Sequence, residues 1–99
     1  MPTHEEAAQF LRDLARLTLG EQTLFAAAIR KMVEDLRAGR PFRSSSLRVK
    51  GVQGHAGIFE MTWEMPNGRA TFHYGDPPRP GDAHIVWRRI GGHEIFNNP

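Results

Sequence analysis

Ile58-Phe-Glu-Met-Thr-Trp-Glu-Met-Pro-Asn-Gly-Arg-Ala-Thr-Phe-His-Tyr74 carries two runs of period-two alternation around a turn signal. The first run sets Phe59, Met61, Trp63 and Met65 on one face and Glu60, Thr62 and Glu64 mostly on the other. Pro66-Asn-Gly68 is the strongest hairpin signal in the chain, because Asn-Gly accepts the positive φ angles of tight turns. The return run points Ala70, Phe72 and Tyr74 inward and Arg69, Thr71 and His73 outward. A β-hairpin with one apolar and one polar face follows.

The same period extends on both sides. Leu47-Arg-Val-Lys-Gly-Val52 alternates apolar with basic residues and is joined to the hairpin by turn material, Gln53–Gly57. Downstream, a Pro/Gly/Asp loop over Gly75–Ala83 leads to a last strand, His84–Gly91. The expected strands are therefore about 47–52, 58–65, 69–75 and 84–91. Upstream the period changes to that of a helix. Thr3 with Glu6 and Thr18 with Glu21 both fit the capping box, in which Thr and Glu satisfy free N–H groups at a helix start. Phe10, Leu11, Leu14 and Leu17 form one apolar stripe, and Leu24 through Leu36 form a second. Gly39 caps the second helix, with Pro41 just beyond. Helices over about 4–17 and 19–38 are too closely joined for anything but an antiparallel hairpin. The expected fold is α+β, with the helical hairpin packed on one face of a four-stranded, mainly antiparallel sheet.

Ninety-nine residues make a single domain spanning 1–99, and its 39% apolar content suffices for a modest core. The absence of cysteine excludes disulfides, thiolate metal sites and thiol nucleophiles. No apolar run reaches membrane-spanning length, so a cytoplasmic protein is expected. Thirteen basic against eleven acidic residues give a net charge of +2, which conceals an asymmetry. Residues 1–36 sum to −2 and residues 37–99 to +4, and eleven of the basic residues are Arg. Arg favours bidentate phosphate contact.

If the helices hold the apolar sheet face, Arg48, Lys50, Thr62, Arg69, Thr71 and His73 gather on the other. One of Arg88 and Arg89 joins them, since adjacent strand residues point opposite ways, and His93 lies just past the strand end. Such a face reads either as a phosphate-binding concavity with an acid or base, or as a solvated surface with ordinary ion pairs. On periodicity alone the solvated surface is the stronger reading. His73, His84, His93 and Glu94 match no metal-ligand spacing, so neither metal nor cofactor is expected. Gly51, Gly54 and Gly57 read as a turn between strands, and Trp63 and Trp87 as core.

The order helix, helix, Leu47–Lys50, Gly57–Trp63 with Gly68–Phe72, and Ile85–Phe96 resembles the RelE/ParE superfamily of bacterial toxin–antitoxin toxins across roughly residues 5 to 96. The resemblance implies a small basic toxin that cleaves mRNA on the ribosome without a metal, or a ParE-like poison of DNA gyrase. A non-toxic nucleic-acid-binding or interaction domain on the same fold is the third alternative. The resemblance places Arg48 and Lys50 at phosphate-binding positions, Arg69 at the scissile phosphate, and Arg88 or Arg89 at the basic position of the last strand. His93 falls near a catalytic His or Tyr position, and His73 or His93 would serve as base or acid. It further implies a cognate antitoxin as partner, with a homodimer as an additional option. Three departures stand out. No strand precedes the first helix on this reading, Phe96 occupies a position often held by Tyr, and Asp76-Pro-Pro-Arg-Pro-Gly81 lengthens one connection.

Overall fold

The computed structural model describes residues 3–39, 47–64 and 67–99. Its elements run β1 (Thr3–Glu6), α1 (Ala8–Ala15), α2 (Leu19–Arg37), β2 (Lys50–Gly51), β3 (Phe59–Glu64), β4 (Gly68–Tyr74) and β5 (His84–Gly91), followed by a 3₁₀ helix, His93–Asn97. The fold is α+β, with a mixed sheet of five strands in the order β1-β5-β4-β3-β2.

The central hairpin forms as its alternation dictates, with Phe59 opposite Phe72, Glu60 opposite Thr71 and Met61 opposite Ala70. Gly68 already belongs to β4. A Cβ there would lie 2.9 Å from the Trp63 ring and 2.6 Å from Glu64 Cβ, so close approach accounts for the glycine. Met65 and Pro66 lie outside the described residues.

Four expectations need correction. The sheet has five strands rather than four, because Thr3–Glu6 is a strand and not a helix start. Thr3 Oγ1 lies 2.6 Å from His84 Nδ1 instead of capping Glu6, and β1 pairs parallel with β5, Thr3 opposite His84 and Glu6 opposite Trp87. A polar edge strand held by backbone bonds leaves no apolar alternation to detect. α1 accordingly begins at Ala8 and ends at Ala15, not over 4–17. The strand expected over 47–52 shrinks to Lys50–Gly51 because Arg48 adopts φ 54°, a left-handed value that interrupts extended backbone. The Thr62 N–H then bonds to the Leu47 carbonyl at 2.8 Å, which leaves Arg48 as the extra residue of a bulge. Thr71, expected to face solvent, is fully buried, while Tyr74, expected inward, is 46% exposed.

The second helix matches its signals. Thr18 and Glu21 form the reciprocal capping box, and Gly39 follows the helix with φ 69°. One core joins Phe10 of α1 and Phe25, Ala28 and Met32 of α2 to Met61, Trp63, Phe72, Ile85, Trp87 and Ile90 of the sheet. Phe25 meets Trp87 edge-on at 5.3 Å and Trp63 at 6.3 Å, the geometry aromatic rings favour.

The burial of Thr71 has a local cause. Gly91 pairs with Arg69 and so shares its face, and a Cβ at Gly91 would lie 3.1 Å from Ile95 Cγ2. The 3₁₀ helix therefore lies over the polar face of β4 and β5, with Ile95 buried beneath it.

Candidate nucleic-acid interface

Pairing places the basic residues on the sheet face opposite the aromatic core. Lys50, Glu60, Thr71 and Arg89 form one row across β2, β3, β4 and β5. Three strand gaps separate its ends, about 14 Å. Lys50 is exposed and its Nζ lies 3.9 Å from Glu60 Oε1, a loose surface pair that contributes little to stability. Arg48 is exposed on its bulge. In the next row Thr62 opposes Arg69, whose Nη1 donates to its neighbour's carbonyl, Gly68 O, at 3.0 Å.

The β5 arginines depart from simple alternation. Thr71 pairs with Arg89 and Phe72 with Trp87, so Arg88 is the extra residue of a second bulge. A bulge turns neighbouring side chains to the same side. Both arginines reach the tail that follows the 3₁₀ helix, where the expectation was that only one would face this way. Arg88 Nη1 donates to His73 Nδ1 at 3.1 Å. Its Nε and Nη2 both reach Pro99 O at 3.3 Å. Arg89 Nη1 donates to the Asn98 carbonyl at 3.0 Å.

Arg89 is also tied down by a residue that sequence reasoning missed. Asp13 of α1 is 4% exposed. Its carboxylate accepts from Arg89 Nε at 2.7 Å and Nη2 at 3.3 Å, and from the Ile90 N–H at 3.2 Å. Burial raises the Asp13 pKa, but donors from Arg89, Gln9 and Ile90, with the charge of Arg89, outweigh it and hold the pKa below the ordinary 3.8. The carboxylate takes up a β5 N–H beyond the point where β1 stops. An acid lying between Phe10 and Leu14 in the first apolar stripe was the one available signal.

His73 is lowered from its ordinary 6.5 by burial and then by the positive charge of Arg88, against a smaller upward pull from Glu5. A guanidinium can only donate, so His73 Nδ1 accepts and the neutral ring carries its proton on Nε2. Arg69 stands four residues from His73 on β4, about 13 Å along the strand, with buried Thr71 between them. His93, exposed at the start of the 3₁₀ helix, packs against Phe96 at 6.0 Å. The structure brings together Arg88, Arg89 and His73, sets Arg48 and Lys50 at the opposite side of the sheet, and leaves Arg69 between them.

His84 is engaged by Thr3 and Glu5, and no group of three or more His, Asp or Glu suited to a metal occurs among the described residues. No helix among them is long and apolar enough to cross a membrane. Comparison with protein-family models, curated proteins and solved structures finds no match to this chain.

Proposed function

We propose that the chain is a RelE-like toxin whose polar sheet face binds mRNA phosphates and cleaves the message on the ribosome without a metal. The observation that carries this reading is the placement of Arg48, Lys50, Arg69, Arg88 and His73 around one polar surface, opposite the aromatic core. β1 adds support, since the strand that the resemblance requires before the helices is present beside β5. On this reading α1 and α2 form the antiparallel hairpin of a RelE-like fold, and the protein acts in the cytoplasm. Arg69 and Lys50 neutralise the phosphate, Arg88 and the His73 Nε2–H donate to a neighbouring phosphate, and His93 is the remaining proton-transfer candidate.

The antitoxin is the natural partner. An apolar groove of about 340 Å³ between β1 and α2, walled by Phe10, Phe25, Ile29, Met32 and Trp87, suits the apolar face of an amphipathic helix.

One observation favours a second reading. Arg69 and His73 stand about 13 Å apart along β4 with buried Thr71 between them, a spacing that fits a ParE-like toxin or a binding domain without nuclease activity. Expression in bacteria and in a translation extract separates the readings. The nuclease predicts growth arrest and cleavage of mRNA in the ribosomal A site, both lost in Arg69→Ala while the variant keeps its fold. Growth arrest with intact mRNA would transfer the assignment to the gyrase-directed reading, and harmless expression to the binding domain.

A further inference from the structure

Thr3, His84 and Glu5 form a chain of polar contacts where β1 meets β5. Pairing sets Thr3 opposite His84 and Glu5 opposite Val86, so all three turn away from the core residues Ile85 and Trp87. Thr3 Oγ1 lies 2.6 Å from His84 Nδ1, and His84 Nε2 lies 3.3 Å from Glu5 Oε1. A carboxylate can only accept, so Nε2 carries the ring proton and Nδ1 accepts from the Thr3 hydroxyl. The His84 side chain is 11% exposed, and a Cβ at Gly75 would lie 3.0 Å from its Cδ2, so the ring is wedged against β4. Thr3 is half-buried. The main chain beside it adds a donor. Thr3 N–H donates to the Ala83 carbonyl at 2.9 Å and Ala7 N–H to that of Trp87 at 2.8 Å. Alternate residues of a parallel strand address the same neighbour, so His4, on the outermost strand, turns its N–H to the open edge.

We propose that Thr3 is a nucleophile that takes the acyl group of a carboxylic ester, with His84 as its base and Glu5 holding the ring. A hydroxyl, an imidazole and a carboxylate in this order are the parts of an acyl-transfer relay, which is recognised by geometry and roles rather than by fold. The activity goes beyond the RNA reading and uses none of the arginines. Thr3 Oγ1 bonds to the ester carbonyl carbon while its proton passes to His84 Nδ1. The bond from that carbon to the leaving alcohol oxygen then breaks, and the oxygen takes the proton from Nδ1. Water adds to the acyl-Thr3 carbon by the same route, releasing the acid and returning the proton to Thr3 Oγ1. The His4 N–H, from the residue after the nucleophile, stands where a donor to the charged ester oxygen is needed.

The test uses the full chain with p-nitrophenyl acetate as the ester and a fluorophosphonate as a second, irreversible probe of the hydroxyl. Release of p-nitrophenol should be accompanied by a single added acetyl group, and peptide mass spectrometry should place both labels on Thr3. Thr3→Val keeps the shape of the side chain and should abolish both labels, while Thr3→Ser keeps the hydroxyl and should retain them. Loss in the first with retention in the second separates a lost nucleophile from a disturbed strand. His84→Ala should slow acylation by about 100-fold or more, the usual weight of a general base. Glu5→Gln should slow it less, with the label still on Thr3. A folded chain that takes neither label overturns the proposal. So does acetylation that survives Thr3→Val, which would place the reaction on a lysine or an exposed histidine. A rate unchanged by Glu5→Gln overturns the role given to Glu5. Because no RNA enters the assay, neither result bears on whether the polar face binds or cleaves it.

Discussion

Asp13 ties α1 to the far end of β5 through one buried carboxylate. It is buried, accepts two bonds from Arg89, and occupies the edge of β5 at the Ile90 N–H. Replacing it with Ala leaves the Arg89 guanidinium and a backbone N–H without their acceptor, and should cost about 3–5 kcal/mol in chemical unfolding. Its pKa is lower in the folded chain than the ordinary 3.8. Its contribution is therefore complete above that value and disappears as the pH falls through the folded pKa. The urea midpoint of the wild type should drop below about pH 4 more steeply than that of Asp13→Asn, which has no proton to bind there. Thr71 presents the opposite case. Among the described residues its buried Oγ1 has no hydrogen-bond partner, so the hydroxyl carries an uncompensated desolvation cost there. Thr71→Val keeps the shape and should raise stability by about 1 kcal/mol, read as an upward shift of the same midpoint.

At the scale of elements, α2 is the best-specified segment and β1 the least. The Thr18 hydroxyl accepts from the Glu21 N–H at 3.1 Å, and Glu21 Oε1 accepts from the Thr18 N–H at 2.9 Å. Thr18→Ala removes one half of this box at an exposed site and should cost about 1 kcal/mol, lowering Tm by roughly 4–8 °C. That helix, the central hairpin and β5 were legible in the sequence because burial imposes a period and their caps and turns are chemical. β1 was not, since Thr3-His-Glu-Glu6 is polar throughout and its pairing with β5 uses main-chain groups. The same Thr and Glu that mimic a capping box at residues 3 and 6 instead serve as strand residues, Thr3 bonding to His84. The polar face was legible in outline, from the alternation of Arg69, Thr71 and His73. The bulges at Arg48 and Arg88 were not, and they decide which arginines reach the polar face. A bulge adds one residue to one strand, and nothing in the side-chain period announces it before the partner strand is known.

Across the whole molecule, the charge that matters is where it lies rather than its sum. A net charge of +2 would give weak attraction for any polyanion, but Arg48, Lys50 and Arg69 stand on the sheet face opposite the core, while Arg30 and Lys31 lie exposed on α2. Binding of single-stranded RNA releases counterions, and the slope of log K against log salt falls by about 0.7 for each phosphate that the protein no longer neutralises. Replacing Arg48, Lys50 and Arg69 together by Ala should therefore flatten that slope by roughly 2 and weaken binding across all RNA sequences alike. Replacing Arg30 and Lys31 removes two charges from the helical side and should leave the slope unchanged. Titrations of uncleavable RNA from low to physiological salt measure both. Flattening in proportion to the charge each set removes would mean that the net charge alone attracts RNA, and the sheet face would lose its claim to be the interface. The measurement is independent of cleavage. It separates a face that holds phosphate from the further question of whether His93 and Arg69 cut the strand it holds.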